Sequence, residues 1–290
     1  MDRLLAVALL TALIHLINTL IYSVRVSGVR TGRLATAISM FNVIFLVSST
    51  ANMIQGPLLA TIVEGAIHRG GLDGAAGAAA RQMAFTPQYL DQLGLLAGEI
   101  RLVILAATIG TVLGALLIPA SVKAFVGAIM VFEKVGTVPG MLFTALCSPR
   151  RFMALAGRTG VEQAPGGPAP APRVQELPVL FLVLNVLVTG IFTTGVLSAL
   201  FAGALYPDYR ASATMLASIV NGLAQVLFAT VVDPTAAGIT DQALRGERAE
   251  SDVRRMAYYL AGTRLAGTLL AQALFIPAAY LIRWVAVLIT

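Results

Sequence analysis

The polar residues with chemical reach in this sequence sit inside apolar runs, and that placement decides what they can do. Ser48, Ser49, Thr50, Asn52 and Gln55 form a polar patch in an otherwise apolar stretch. On a helix, Asn52 and Gln55 share a face, so they can hydrogen-bond to one ligand or to a neighbouring helix. The three hydroxyl residues can instead bond back to their own helix. Arg264 interrupts another apolar run. An arginine at membrane depth is costly, so it either faces a cavity or a partner, or snorkels to the interface. His15 and Asn18 lie in the first apolar run, as packing residues or as a proton or polar relay. Arg25, Arg30 and Arg33 fall within nine residues. They read either as a topology signal or as a dock for a polyanion.

Two prolines mark candidate gates. Pro57 interrupts one apolar run, and Pro234 follows Asp233 at the end of another. A proline removes one helical hydrogen bond and suits the first turn of a new helix. A true break leaves amides pointing at it, a ready anion site. The alternative is an ordinary kink. Each proline is followed seven residues later by an acid, Glu64 or Asp241. These acids and Asp233 can pair with arginines at opposite membrane faces.

Enzyme chemistry has no foothold. Serine-hydrolase, zinc-peptidase and phosphate-loop motifs are missing. His15, His68 and Cys147 give no metal-ligand spacing, so neither a metal nor a cofactor is expected.

The elements that must position these residues are membrane spans. Apolar residues make up 58% of the 290, and charged residues only 12%, about half the density of a soluble domain. Six segments approach or exceed the roughly 20 apolar residues that a span requires. They are Leu4–Val24, Leu34–Val63, Leu102–Val122, Leu177–Tyr206, Ala211–Val232 and Met256–Ile282. The first reads as a retained span rather than a signal peptide. A further segment, 124–148, carries Glu133 and Lys134 in its middle and fits an interfacial or re-entrant hairpin. Residues 158–176 form a Pro/Gly/Ala-rich linker. It divides an N-terminal half, 1–157, from a C-terminal half, 177–290. A softer Gly/Ala-rich loop is expected over 69–99.

The halves match in sequence. Pro57, Ala60, Glu64 and Ala66 align with Pro234, Ala237, Asp241 and Ala243. GTVLGALLIPA from Gly110 aligns with GTLLAQALFIPA from Gly267, and Asn42 and Asn221 both lie mid-span. The loops after spans one, three and five hold 13 basic residues, and the other side holds six. The net charge of +6 therefore reads as topology rather than nucleic-acid binding, with both termini outside the cell membrane. Three spans per half invert the second half relative to the first. The expected fold is an all-α polytopic membrane protein of two inverted three-helix repeats with proline-broken helices.

HLINTLIYSVRVSGVRTGRLATAISMFNVIFLVSSTANMIQGPL from His15 and RLAGTLLAQALFIPAAYLI from Arg264 resemble the Amj family of lipid II flippases. The resemblance covers most of both halves and is most specific in the YSVRxxGVRTG and SxTxNMIQxP segments. A basic residue is common in the family where this chain has Ser49. The resemblance implies translocation of an undecaprenyl-diphosphate-linked disaccharide-pentapeptide to the outer leaflet of a bacterial cell membrane. Its partners are then lipid II and membrane lipids. The expected site combines Arg25, Arg30, Arg33, Asn52, Gln55 and Arg264, with gates at Pro57, Glu64, Asp233, Pro234 and Asp241. The residues alone also fit an ion- or proton-coupled transporter of a small anion. A membrane enzyme acting on polyprenyl phosphates would need Glu64, Asp233 and Asp241 on one face, and a scaffold would not need a polar interior.

Overall fold

A computed structural model describes residues 3–71, 86–148, 150 and 176–289, and every regular element among them is helical. Among the described residues, the α-helices of defined bounds are α1 (Arg3–Thr31), α2 (Leu34–Arg69), α3 (Pro87–Val135), α4 (Val138–Cys147), α5 (Val179–Leu205), α6 (Arg210–Leu227), α7 (Asp233–Leu244) and α8 (Glu250–Leu288). A π-helical turn, Phe228–Val232, joins α6 to α7, so the two form one span. Among the described residues, six helical segments are long and apolar enough to cross a membrane, as the apolar runs require.

Local chemistry sets the ends. Gly32 adopts φ 68° and lets α1 reverse into α2 within a two-residue turn. Thr86 caps α3, with Pro87 just inside the helix. Gly136, at φ 77°, ends α3 in the left-handed cap that glycine favours. Glu250 and Asp252 lie in the first turn of α8, where the helix dipole favours acids.

The second helices differ from expectation. α2 runs unbroken through Pro57. One missing amide costs a single hydrogen bond, and the flanking turns keep the rest. At Pro234 the chain also stays helical, because the preceding π turn widens the helix and absorbs the proline. Both prolines therefore modify a continuous helix, which corrects the expected breaks. The expected loop over 69–99 ends early, since α3 begins at Pro87. Segment 124–148 comprises the last turns of α3, the Gly136 reversal and α4. The 158–176 linker lies outside the described residues except for Glu176.

α1 packs along α3 and α2, and α5 packs along α8 and α6. Glycines permit the closest contacts. A Cβ on Gly110 would lie 2.1 Å from the Ala12 carbonyl oxygen, and one on Gly267 would lie 2.6 Å from that of Val186. Between lipid-immersed helices, packing at small residues replaces hydrophobic burial as the driving force. Large apolar side chains such as Met53, Leu116, Met215 and Ile219 face outward, where lipid solvates them. One apolar core joins both halves at the end holding Val7, Leu59, Leu200 and Phe275. A second joins them at the end holding Val26, Val122, Ile239 and Val253.

Candidate functional site

A cavity of about 610 Å³ lies between the halves, walled by α1, α2, α5, the α6–π segment and α8. Along α2 its lining extends from Phe41 to Leu59. At 1.5 Å per residue this is roughly 27 Å, close to the thickness of a bilayer core. Several lining residues midway along their helices are exposed, among them Phe45, Asn52, Phe192 and Gln225. The cavity thus opens sideways at mid-span depth, where the surroundings of a spanning helix are lipid.

The lining is polar but almost uncharged. Six amide side chains reach it: Asn18, Asn52, Gln55, Asn185, Asn221 and Gln225. Arg264 on α8 is its one acidic or basic side chain apart from His15. Some of these groups are held by the protein. Gln55 Nε2 donates to Thr11 Oγ1 at 2.7 Å, and Asn185 Nδ2 donates to Thr263 Oγ1 at 2.8 Å and the Leu260 carbonyl at 3.2 Å. Ser48 Oγ donates to Asn18 Oδ1 at 3.3 Å. Three buried atoms of the lining residues have no hydrogen-bond partner among the described residues: His15 Nδ1, Asn221 Oδ1 and Arg264 Nε. Buried polar atoms are rarely left so, and in a site for cargo they are the groups free to receive it. The Asn221 Oδ1 position requires glycine at 195, because a Cβ there would lie 2.2 Å away.

The structure brings together Asn52, Gln55, Arg264, His15 and Asn18, and Gly56 rather than Pro57 reaches the lining. Ser48 and Ser49 also line it, whereas Thr50 bonds back to the Leu46 carbonyl and Asn42 is exposed outside it. Arg25, Arg30 and Arg33 stand apart, and each is engaged by a carboxylate. Arg25 Nη2 lies 2.5 Å from Asp233 Oδ1, and Arg30 Nη2 lies 2.5 Å from Glu250 Oε1. Arg33 pairs with Glu133. The three arginines in this conformation tie one end of the molecule together and present no open cationic dock. Glu64 lies 4.0 Å from Arg210 at the opposite end, while Asp241 is exposed and has no ion-pair partner among the described residues. Acids and arginines do pair at opposite ends, as expected for Glu64 and Asp233. Glu64 and Asp233 lie at opposite ends, and no cluster of three His, Cys, Asp or Glu side chains occurs among the described residues.

Sequence reasoning missed Asn185, Gln225, Thr189 and Thr193 in the lining. Asn185 and Gln225 carried a signal, since amides inside uncharged runs are uncommon, but nothing local distinguishes a cavity-facing amide from one bonding between helices. Glu133, Glu250 and Arg210 were missed as pairing partners because the contacts cross distant parts of the chain.

The family model described as "Amj: Alternate to MurJ" matches residues 10–286. The chain is also similar to the lipid II flippase Amj of Bacillus subtilis (strain 168). The two are 32% identical over 275 residues, which is 94% of this chain and 92% of that relative. No solved structure matches.

Proposed function

The chain belongs to the Amj family, and on that premise we propose that it is a transporter, not an enzyme, and translocates lipid II across the cell membrane. The observation that carries this reading is the sideways-open cavity lined by amides and one arginine. Lipid II joins a long apolar tail to a head group of two sugars and a peptide through a diphosphate. A tail that size must stay in the bilayer, so only the head group can enter protein. The mid-depth opening beside Phe45 and Phe192 gives the tail an exit. Arg264 offers the diphosphate a charged donor with two-pronged geometry. Asn52, Asn221 and Gln225 offer the sugars and peptide neutral donors and acceptors. A cavity of about 610 Å³ suits a drug-sized ligand. The larger head group therefore enters it partly at a time or widens it. A small anion would need neither the length nor the lateral opening, which disfavours an ion-coupled carrier.

The arginine-rich end is cytoplasmic in this reading, from the distribution of basic residues, and both termini face outward. Transport runs from the cytoplasmic to the outer leaflet. The halves act as inverted repeats whose second helices, α2 and α6–α7, rock to open one end at a time. Pro57 and the π turn before Pro234 lower the cost of bending those helices. Arg25, Arg30 and Arg33 serve first as closures, and become available to phosphate as their carboxylate partners move away.

A photo-reactive side chain at Phe192 or Ser49 tests the proposal in membranes containing lipid II. Both positions line the cavity, and each is expected to capture lipid II, whereas Leu116 on the outer face of α3 captures bulk phospholipid. Equal capture at all three positions refutes the cavity as the path.

A further inference from the structure

The second helices share a spacing that extends beyond their prolines. Arg33 immediately precedes α2, and Arg210 begins α6. A proline follows 24 residues on in both cases (33 to 57, 210 to 234), and an acid 31 residues on (33 to 64, 210 to 241). Each helix therefore has an arginine at its start and a carboxylate near its far end. Because α2 and α6–α7 run in opposite directions along the cavity, the start of each faces the finish of the other, and the four groups define two facing pairs, one at each end. Glu64 with Arg210 is one, and Arg33 with Asp241 is the other.

Only the first is made in this structure, at 4.0 Å. Arg33 pairs instead with Glu133 on α3, and its side chain is 51% exposed. Asp241 is exposed without an ion-pair partner among the described residues. In this structure Arg25–Asp233 and Arg30–Glu250 already hold the arginine-rich end; we propose that Arg33 and Asp241 join them as the latch of that end in the conformation in which Glu64–Arg210 opens. Glu133 holds Arg33 in the meantime. The inference rests on the inverted-repeat reading above and assigns gating partners to that cycle.

The physics suits an exchange. The Glu64 and Arg210 side chains are each 47% exposed. An exposed pair contributes little, so it breaks readily and biases two near-equal conformations by about two- to five-fold. Exchange of one weak pair for its symmetry mate also keeps both ends from opening together.

Cysteine pairs test this in the full-length Cys147→Ser protein in liposomes. Glu64→Cys with Arg210→Cys, bridged by a short bifunctional reagent, should leave a reporter cysteine at Asn52 accessible to an impermeant maleimide only from the arginine-rich side. Arg33→Cys with Asp241→Cys should also bridge, and should make the reporter accessible only from the other side. The proposal fails if the second pair does not bridge while the first does, or if bridging leaves accessibility unchanged. Charge variants guard against misfolding of the cysteine pairs. Asp241→Arg alone should shift reporter labelling about two- to five-fold toward the arginine-rich side, and added Arg33→Asp should reverse the shift. Absence of the shift or of its reversal also overturns the proposal. No readout needs lipid II, so a failed latch and a failed lipid II transport are separate results.

Discussion

Replacing Arg264 separates the cost of a charge in the membrane from its use. The side chain sits within the α8 span, and its Nε is buried without a hydrogen-bond partner among the described residues. A charge at mid-span costs about 2.5–3.5 kcal/mol on insertion scales. An arginine kept only for packing would therefore be improved upon by leucine. Under the account above, Arg264→Leu leaves the fold as stable as before or more so, because it removes an unpaired polar atom from a buried position. It also removes a charge-assisted hydrogen bond to the diphosphate, worth about 1.5–3 kcal/mol. At about 1.4 kcal/mol per tenfold change, head-group affinity should fall roughly 10- to 150-fold. Arg264→Lys keeps the charge without the planar fork and should fall between the two. The assay is lipid II binding to purified protein in nanodiscs, with thermal unfolding measured on the same samples. Full binding by Arg264→Leu would refute the role. A large drop in melting temperature would instead assign Arg264 to the structure.

Four further outcomes follow from the packing. Gly110→Leu should lower thermal stability by about 1–3 kcal/mol or more through overpacking, since even a Cβ would press on the Ala12 carbonyl oxygen at 2.1 Å; detergent-phase melting checks it. Asn185→Leu removes donation to Thr263 and the Leu260 carbonyl, and should cost about 0.6–2 kcal/mol by the same measurement. Gln55→Leu frees Thr11 and enlarges the apolar part of the lining, so lipid II binding should weaken about 2- to 10-fold with little change in melting. Arg25→Ala leaves Asp233 half exposed and able to find water. It should cost only about 1 kcal/mol in stability while raising maleimide access from the arginine-rich end.

How much was legible in the sequence depended on whether a feature was local. Six spans followed from apolar length alone, because lipid demands long helices wherever the chain crosses it. Arg264, His15, Asn18, Asn52 and Gln55 stood out because each is polar in an apolar run, and the structure gathers all five around one cavity. Asn185 and Gln225 bear the same signal and went unread, since nothing local distinguishes a cavity-facing amide from one bonding between helices. Pro57 misled because proline chemistry predicts a lost hydrogen bond, not whether the neighbouring turns survive it. They survive in α2, and at Pro234 a π turn takes up the strain. The ion pairs of Arg25, Arg30 and Arg33 were the least legible. Their partners lie at Asp233, Glu250 and Glu133, and only the packed helices bring them within reach.

Liposomes measure whether this chain alone moves lipid II. Purified protein is reconstituted with lipid II placed in the inner leaflet, and accessibility of its head group is followed from outside. Lipid II should appear on the outer leaflet only when the protein is present, and Arg264→Leu should slow this greatly. Accessibility equal to that of protein-free liposomes, or equal for wild type and Arg264→Leu, would contradict it.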